Sequence, residues 1–294
     1  MELRVLQYFL AVAREQSISG AAEFLHLTQP TLSRQIKDLE EELGKQLFVR
    51  GNRRVTLTEE GMLLRKRAEE IVDLVNKTER EILHSDKTVT GDIYIGAGET
   101  DSMRIVARAA RKIQEDFPGV HFHISSGDAC DILEKLDKGL LDFNVLLGDI
   151  DKLKYDYLEF PMKDTWGILM RRDSLLAAKE SVTAEDLRDL PLIISRQAQN
   201  KGDLLHWLSA GSAHPNIAAT YNLIYNAALM VDEGMGYAFS LDKLTSVGAD
   251  SNLLFRPLSP PLHLGMTMIW KKYQIFPRAA ELFLTYLRRE LTAG

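Results

Sequence analysis

The sequence predicts an α/β protein preceded by a small, mainly helical domain with a basic hairpin and by one long helix. Three observations carry this prediction. Apolar residues recur at helical spacing up to about residue 84, strand and helix patterns alternate from residue 91 onward, and a basic run separates two strand-like stretches near residue 50. A length of 294 residues, with 45% hydrophobic and 27% charged, suits two or three globular domains and excludes a disordered or fibrous chain.

The first element is a helix over Glu2 to Glu15, where Leu3, Leu6, Leu10 and Ala13, flanked by Phe9, make one apolar face. Ser17 and Ser19 are cap candidates for a short helix over Gly20 to Leu25, whose Ala21 and Ala22 permit close helix packing. After a tight turn at His26 and Leu27, Thr28 caps a third helix. Pro30 sits in its first turn, where a missing N–H costs nothing; Leu32, Ile36, Leu39 and Leu43 face the core, and Gly44 ends it. Two short helices joined by a tight turn form a helix-turn-helix. The second presents Gln29, Thr31, Ser33, Arg34, Gln35 and Lys37 at and beyond a helix N-terminus, where the backbone favours phosphate and side chains reach base edges.

Leu47 to Val49 and Arg54 to Leu57 bracket Arg50-Gly51-Asn52-Arg53, which reads as a β-hairpin with a Gly-Asn turn, a basic wing. The net charge of -6 argues against nucleic acid only until it is divided. Residues 1–90 hold fourteen Lys/Arg against fifteen Asp/Glu, and the rest twenty-two against twenty-seven. Most of the acidic excess is therefore C-terminal. Lys45, Arg50, Arg53 and Arg54 form a local basic patch with no acid between Leu47 and Thr58, and the local field governs phosphate contact.

From Thr58, a cap followed by Glu59 and Glu60, a helical pattern runs to about His84. Leu64, Ala68, Ile71, Val75, Thr78 and Ile82 alternate in steps of four and three, a heptad seam that predicts pairing with a second copy of the chain. Packing of the seam on its own chain is the alternative. Lys87 to Gly91 reads as a hinge. The expected domains are therefore residues 1–58, a dimerising helix and hinge over 59–90, and an α/β part over 91–294.

In that last part, strand Ile93 to Ile95, helix Ser102 to Glu115, strand His121 to Ser125, helix Asp128 to Lys138 and strand Phe143 to Leu147 make a βαβαβ series. A second series follows: strand Trp166 to Met170, helix Ala184 to Asp189, strand Leu192 to Ser195, helix Asp203 to Gly211, strand Ala218 to Tyr221, helix Tyr225 to Glu233 and strand Tyr237 to Ser240. Strand Leu264 to Trp270 and helix Arg278 to Glu290 close the chain. Two lobes are expected, the first over about 91–161 with 268–294 and the second over about 162–267, joined by a two-strand hinge near Phe160 and Thr267.

Enzyme signatures are weak. Gly96-Ala97-Gly98 lies between a strand and a helix, but Asp101 occupies the place of the third glycine and would repel a pyrophosphate. Gly234-Met235-Gly236 lacks that glycine too, and no nucleophile elbow, P-loop or paired-histidine zinc motif occurs. His121 and His123 share a strand face without a third ligand, so no metal and no cofactor are expected. The single Cys130, beside Asp128 and Asp131, suits neither a disulfide nor a redox switch. Trp166, Trp207 and Trp270 read as packing residues. Gln7, Arg14 and Glu15 interrupt the early apolar run, and no eighteen-residue apolar stretch occurs, so a cytoplasmic protein without membrane contact is expected. A transport-type binding protein built on the C-terminal lobes leaves residues 1–90 unexplained.

The positions from Leu3 to Gly61 carry a specific match. They include Phe9, Ser19-Gly20-Ala21-Ala22 with Leu25, the run Thr28 to Ile36, Leu39-Glu40, Leu43-Gly44, Leu47-Phe48, Arg50 and Thr56-Leu57-Thr58 with Gly61. By these residues the sequence resembles the LysR-type transcriptional regulators over essentially its full length. The resemblance implies a winged helix-turn-helix, a dimerising linker helix and a two-lobed effector domain similar to periplasmic binding proteins. It also implies regulation of promoters by dimers or tetramers bound to double-stranded DNA. Gln29, Pro30, Thr31, Ser33 and Arg34 would face the major groove and Arg53 the minor groove or backbone, with Lys37, Arg50 and Arg54 completing the interface. A small-molecule effector would lie between the lobes against Thr100, Ser102, Ser125, Ser126, Gly148, Ser195, Arg196 and Phe239. Hydroxyls at a helix start plus one guanidinium suit a small carboxylate, whereas Glu99 and Asp101 at the same mouth suit a zwitterion or amine.

Overall fold

The computed structural model describes residues 1–51, 54–83, 89–148, 150–199, 202–209, 215–248 and 251–293. Asn52 and Arg53 of the expected wing, His84 at the expected end of the long helix, Lys87 and Thr88 of the expected hinge, and Gly211 lie outside the described residues, as does the side chain of Arg50. The chain forms two compact units, residues 1–83 and 84–294, so the long helix belongs with the N-terminal unit.

In the first unit, α1 (Leu3–Glu15), α2 (Ile18–Phe24) and α3 (Gln29–Leu43) close a small core with a hairpin of β1 (Phe48–Arg50) and β2 (Val55–Leu57), followed by α4 (Glu59–Leu83). The buried face of α1 is Leu6, Phe9, Ala11 and Val12 rather than one centred on Leu3, Leu10 and Ala13, which are only half-buried. Phe9 is fully buried with its ring 5.1 Å from that of Phe48, a burial contributing about 1.5–3 kcal/mol. Ser17 caps α2 by accepting from the N–H of Gly20, and Gly44 ends α3 at a φ of 64°. Thr28 holds the cap position of α3, but its hydroxyl bonds that of Thr31 instead of a backbone N–H. Leu43, expected in the core, is exposed in the last turn of α3.

The carboxylate of Glu40 fixes the hairpin to α3 by accepting from the N–H groups of Leu47 and Phe48 at 2.7 and 3.1 Å. Thr58 bridges the hairpin to α4: its hydroxyl donates to the carbonyl of Gln46 and accepts from the N–H of Gly61. Ala68 is buried in this core with Leu64 and Val72 beside it, so the first two positions of the heptad seam pack on their own chain. Ile71, Leu74 and Ile82 stay exposed.

The second unit is one continuous sheet bent into two lobes. The first lobe contains β3 (Gly91–Ala97), α5 (Met103–Asp116), β4 (Val120–Ser126), α6 (Ala129–Asp137) and β5 (Phe143–Leu147). Next comes β6 (Tyr155–Arg171), a 17-residue strand that runs through both lobes; the sequence pattern showed only its last third, since its first part is polar on alternate residues. The second lobe holds β7 (Leu192–Ser195), α7 (Arg196–Gln199), α8 (Gly202–Ser209), β8 (Ile217–Tyr221), α9 (Ile224–Asp232), β9 (Tyr237–Leu241) and β10 (Leu253–Pro257). The helix expected over Ala184 to Asp189 is a single 3-10 turn, Glu185–Leu187. β11 (His263–Lys271) returns alongside β6, and α10 (Arg278–Ala293) packs on the first lobe.

The strand order is β4-β3-β5-β11-β6-β9-β7-β8, with β10 paired to β6. β3 pairs in parallel with β4 and β5, and β7 with β8 and β9, whereas β6 and β11 are antiparallel to their neighbours. The β6–β11 register shifts between Gly265 and Thr267, opposite Lys163 and Glu159. At that bulge the cores divide: Phe160 and Met266 belong to the cluster around Phe143, while Ile168 and Leu258 belong to that around Phe239. Gly96, suggestive of a nucleotide loop in the sequence, is a packing glycine, since a Cβ there would lie 2.1 Å from Cγ2 of Ile132.

Gly61 is required by a close approach of the same kind. A Cβ at this position would lie 2.1 Å from the carbonyl oxygen of Leu47 and 3.0 Å from Leu57, and the first of these is backbone that cannot swing aside. Gly61→Ala is expected to destabilise residues 1–83 by about 1–3 kcal/mol, read as a lower denaturation midpoint of the N-terminal unit. An unchanged midpoint would contradict this packing.

Candidate functional site

Two regions concentrate exposed chemistry, one in each unit. In the first, α3 turns Gln29, Pro30, Thr31, Arg34 and Lys37 outward, while Leu32, Ile36 and Leu39 are buried behind them. Ser33 and Gln35 are half-buried, so the outward face is narrower than the sequence pattern suggested. Arg34 lies 3.8 Å from Asp38 and Lys37 lies 3.1 Å from Glu41, both pairs on the solvent side. Such exposed i,i+4 pairs are weak and exchange readily for another anion. Arg54 is exposed at the base of the hairpin turn, where its carbonyl accepts from the N–H of Gly51.

In the second unit, a cavity of about 410 Å³ opens between the lobes. Its wall is largely aliphatic, with Leu147, Leu204, Ile224, Leu241, Leu262 and Leu264, and it includes the rings of Trp166 and Tyr221. Glu99, Asp203, Gln197, Asn222, Ser195 and His263 supply its polar groups. Of the predicted effector contacts, Gly148 and Ser195 line this space, and Gly148 does so at a φ of 88°.

The other predicted contacts are placed elsewhere. Thr100 and Ser102 are buried, and both hydroxyls donate to the carboxylate of Asp164 on β6, Ser102 at 3.1 Å; they serve a buried acid and not the cavity. Phe239 is wholly buried in the core of the second lobe and does not line the cavity, and its carbonyl accepts from the hydroxyl of the cavity residue Tyr221 at 2.6 Å. Ser126 is exposed and Ser125 half-buried beyond the cavity, whose edge here is Gly127. Arg196 points to solvent with Nη2 3.7 Å from Asp128 Oδ2. The sequence pattern missed the aliphatic wall, since leucines at strand and helix ends read as core.

Glu99 bridges the two lobes. From the end of β3 its Oε2 accepts from the N–H of Ile224, the first residue of α9, at 2.5 Å. Burial pushes its carboxyl above the ordinary range, and that hydrogen bond opposes the shift. Tyr221, beside it, is held above its usual range by burial and by the Glu99 charge. Deeper in, Asn144 on β5 is fully buried with neither amide atom partnered, at a void of about 10 Å³ that shares Gly98, Gly127, Leu147 and Gln197 with the cavity wall.

Among the described residues no cluster of side chains suits a metal ion, and none of the helices is long and apolar enough to cross a membrane. His123 pairs with Asp92 at 2.9 Å and stacks on Tyr94; Cys130 is exposed. Trp207 and Trp270 are core residues, whereas Trp166 faces the cavity.

A helix-turn-helix with a hairpin wing, followed along the chain by a long helix and a two-lobed α/β domain, defines a class of DNA-binding regulators with an effector-binding domain. Residues 3–62 match the family profile "Bacterial regulatory helix-turn-helix protein, lysR family" and residues 86–292 match "LysR substrate binding domain". The chain belongs to the LysR family of transcriptional regulators and is not an enzyme. Among its relatives, the HTH-type transcriptional regulator BsdA of Bacillus subtilis (strain 168) is 26% identical over 97% of this chain and 99% of its own. The Hca operon transcriptional activator HcaR of Escherichia coli (strain K12) is 27% identical over 100% and 99%. The fold matches full-length CbnR solved in complex with its target DNA, at a TM-score of 0.78 and 18% identity over 99% of this chain and 100% of that one.

The buried Asp164 generates a prediction about pH. Desolvation raises its carboxyl, the bonds from Thr100 and Ser102 lower it, and the charges of Asp242 and Asp101 raise it further, with a net upward direction. The folded chain therefore holds this proton to higher pH than the unfolded chain, and the stability linked to it falls as pH rises from the ordinary aspartate range through the raised value. Asp164→Asn, which keeps the shape without the charge, is expected to melt at a higher temperature than the parent at pH 7, with the gap narrowing as pH falls into the carboxylate range. A lower melting temperature at pH 7 would contradict this.

Proposed function

We propose that this chain is a sequence-specific transcriptional regulator whose action at its promoters responds to a small molecule bound between the lobes of the C-terminal domain. The carrying observation is the pairing of two kinds of surface in one chain: the exposed polar face of α3 next to a basic hairpin, and the apolar cavity between the lobes. In this reading Gln29, Thr31 and Arg34 meet base edges in the major groove. Arg34 is the bidentate reader of guanine, while Lys37 and Arg54, with Arg50 and Arg53, meet the phosphates. That CbnR, of matching fold, is solved in complex with its target DNA supports a DNA-binding role.

Self-association is part of the same reading. The exposed Ile71, Leu74 and Ile82 of α4 follow a seam that Leu64 and Ala68 leave for their own core, and a second copy covers it in a dimer. Dimers of this kind bind paired half-sites, and a tetramer joins two such pairs.

The DNA reading is tested by retention of the chain's own upstream region in gels at several salt concentrations. Arg34→Ala is expected to cost about 1–3 kcal/mol and to flatten sequence preference, whereas Arg54→Ala weakens specific and random duplexes alike and lowers the salt slope. Equal losses on both duplexes for Arg34→Ala would remove its assigned role. For assembly, Leu74→Asp places facing charges in an apolar seam, so sedimentation of the full chain is expected to shift to a lower mass, with weaker DNA binding alongside. An unchanged mass means that the chain assembles through another surface.

A further inference from the structure

Around the cleft are three features that ordinarily receive an anion, and the chain fills each with its own carboxylate, of which only Glu99 lines the cavity. The hydroxyls of Thr100 and Ser102, ahead of α5, are taken by Asp164. The N–H of Ile224 at the start of α9 is taken by Glu99. The guanidinium of Arg196 faces Asp128. A ligand carboxylate in the cavity must therefore displace Glu99 to reach the N–H of Ile224, and a tethered group competes at high effective concentration.

The cavity wall carries the same sign. Among the described residues that line it there is no Lys or Arg, while Glu99 and Asp203 are acidic and the rest, His263 included, are neutral side chains of which about half are aliphatic. Asn144, at the adjoining small void, is a neutral amide with both its donor and its acceptor atom unpartnered, so it offers no countercharge to either sign. Glu99 is half-buried, lines the cavity and accepts one hydrogen bond there, from the backbone N–H of Ile224. Placing a cation there restores the solvation that burial removed, whereas placing an anion adds repulsion in a partly desolvated space.

We propose that the ligand of this cavity is an apolar amine, bound with its ammonium against Glu99 and its body along Leu241, Leu262 and the rings of Trp166 and Tyr221, and that carboxylates of the same skeleton are rejected. This rests on reading the cavity as the effector site. The rings add a cation–π attraction to the charge pair, and the aliphatic wall supplies the bulk of the affinity through apolar burial. Glu99 then acts as the group that distinguishes amine from acid, by sign of charge more than by shape.

The test is titration calorimetry of the full chain with three probes of one skeleton: phenylbutylamine, phenylbutanol and phenylbutyrate. The amine is expected to bind roughly tenfold or more tighter than the alcohol, with no measurable binding of the acid and with a change in Trp166 emission on amine binding. Glu99→Gln keeps a carbonyl for the N–H of Ile224, so its melting temperature serves as the check on folding. In this variant the amine falls to the affinity of the alcohol, which itself is unchanged. Tighter binding of the acid, an amine affinity unmoved by Glu99→Gln, or no amine binding at all would each overturn the proposal. Gel retention of upstream DNA, measured on the same samples, reports separately on the regulatory reading.

Discussion

The C-terminal domain depends on the antiparallel pairing of β6 with β11. These are the strands that carry the sheet from one lobe into the other, and their register breaks at Gly265 to Thr267, where the two cores part. Everything that forms the cavity is set by that geometry. Trp166 lies on β6 just beyond the bulge, and His263 and Leu264 lie on β11 just before it, so the crossing strands themselves contribute to the wall. Asp164 sits at the same crossing, where it gathers the hydroxyls of Thr100 and Ser102, while the N–H of its neighbour Thr165 donates to Asp242 of the second lobe at 2.9 Å. A buried acid here is costly unless hydrogen-bonded, and its bonds hold the start of α5 to the hinge.

Charge placement in the second unit follows a consistent rule: acids of the chain occupy sites that otherwise draw anions. Glu99 on the start of α9 and Asp164 on the hydroxyls before α5 both link segments far apart in sequence. Each ties one part of the second unit to another, and Glu99 also sets the sign of the local field at the cavity wall.

The N-terminal unit is built on a different principle, with a small core and short-range polar ties. Glu40 takes two N–H groups at the start of the hairpin, and Thr58 ties the hairpin to α4 where Gly61 lets the helix approach. These ties position the wing beside α3 without using any of the outward-facing residues Gln29, Thr31, Arg34 or Lys37. Beyond the Thr28–Thr31 hydroxyl bond and two exposed ion pairs, this outward face carries little structural duty, and exchange of its residues is expected to cost little in stability.

The sequence by itself determined the class of each unit, the helices α1 to α4, the hairpin, most strands of the lobes and the outward face of α3. These rest on local periodicity and on capping chemistry at Ser17, Gly44 and Thr58, which neighbouring residues decide among themselves. Only the tertiary structure decided which residues line the cavity. Thr100, Ser102 and Phe239 were sound candidates by position, yet a partner sixty residues away claims the two hydroxyls and the fold of the second lobe buries the ring. The half-and-half character of α4, with Leu64 and Ala68 turned inward and Leu74 outward, was equally hidden, because a heptad repeat states that a face is apolar and not which partner covers it. The same reason applies to the leucines of the cavity: hydropathy marks them as avoiding water, and only the bend of the sheet at the β6–β11 bulge leaves them around a space instead of against one another.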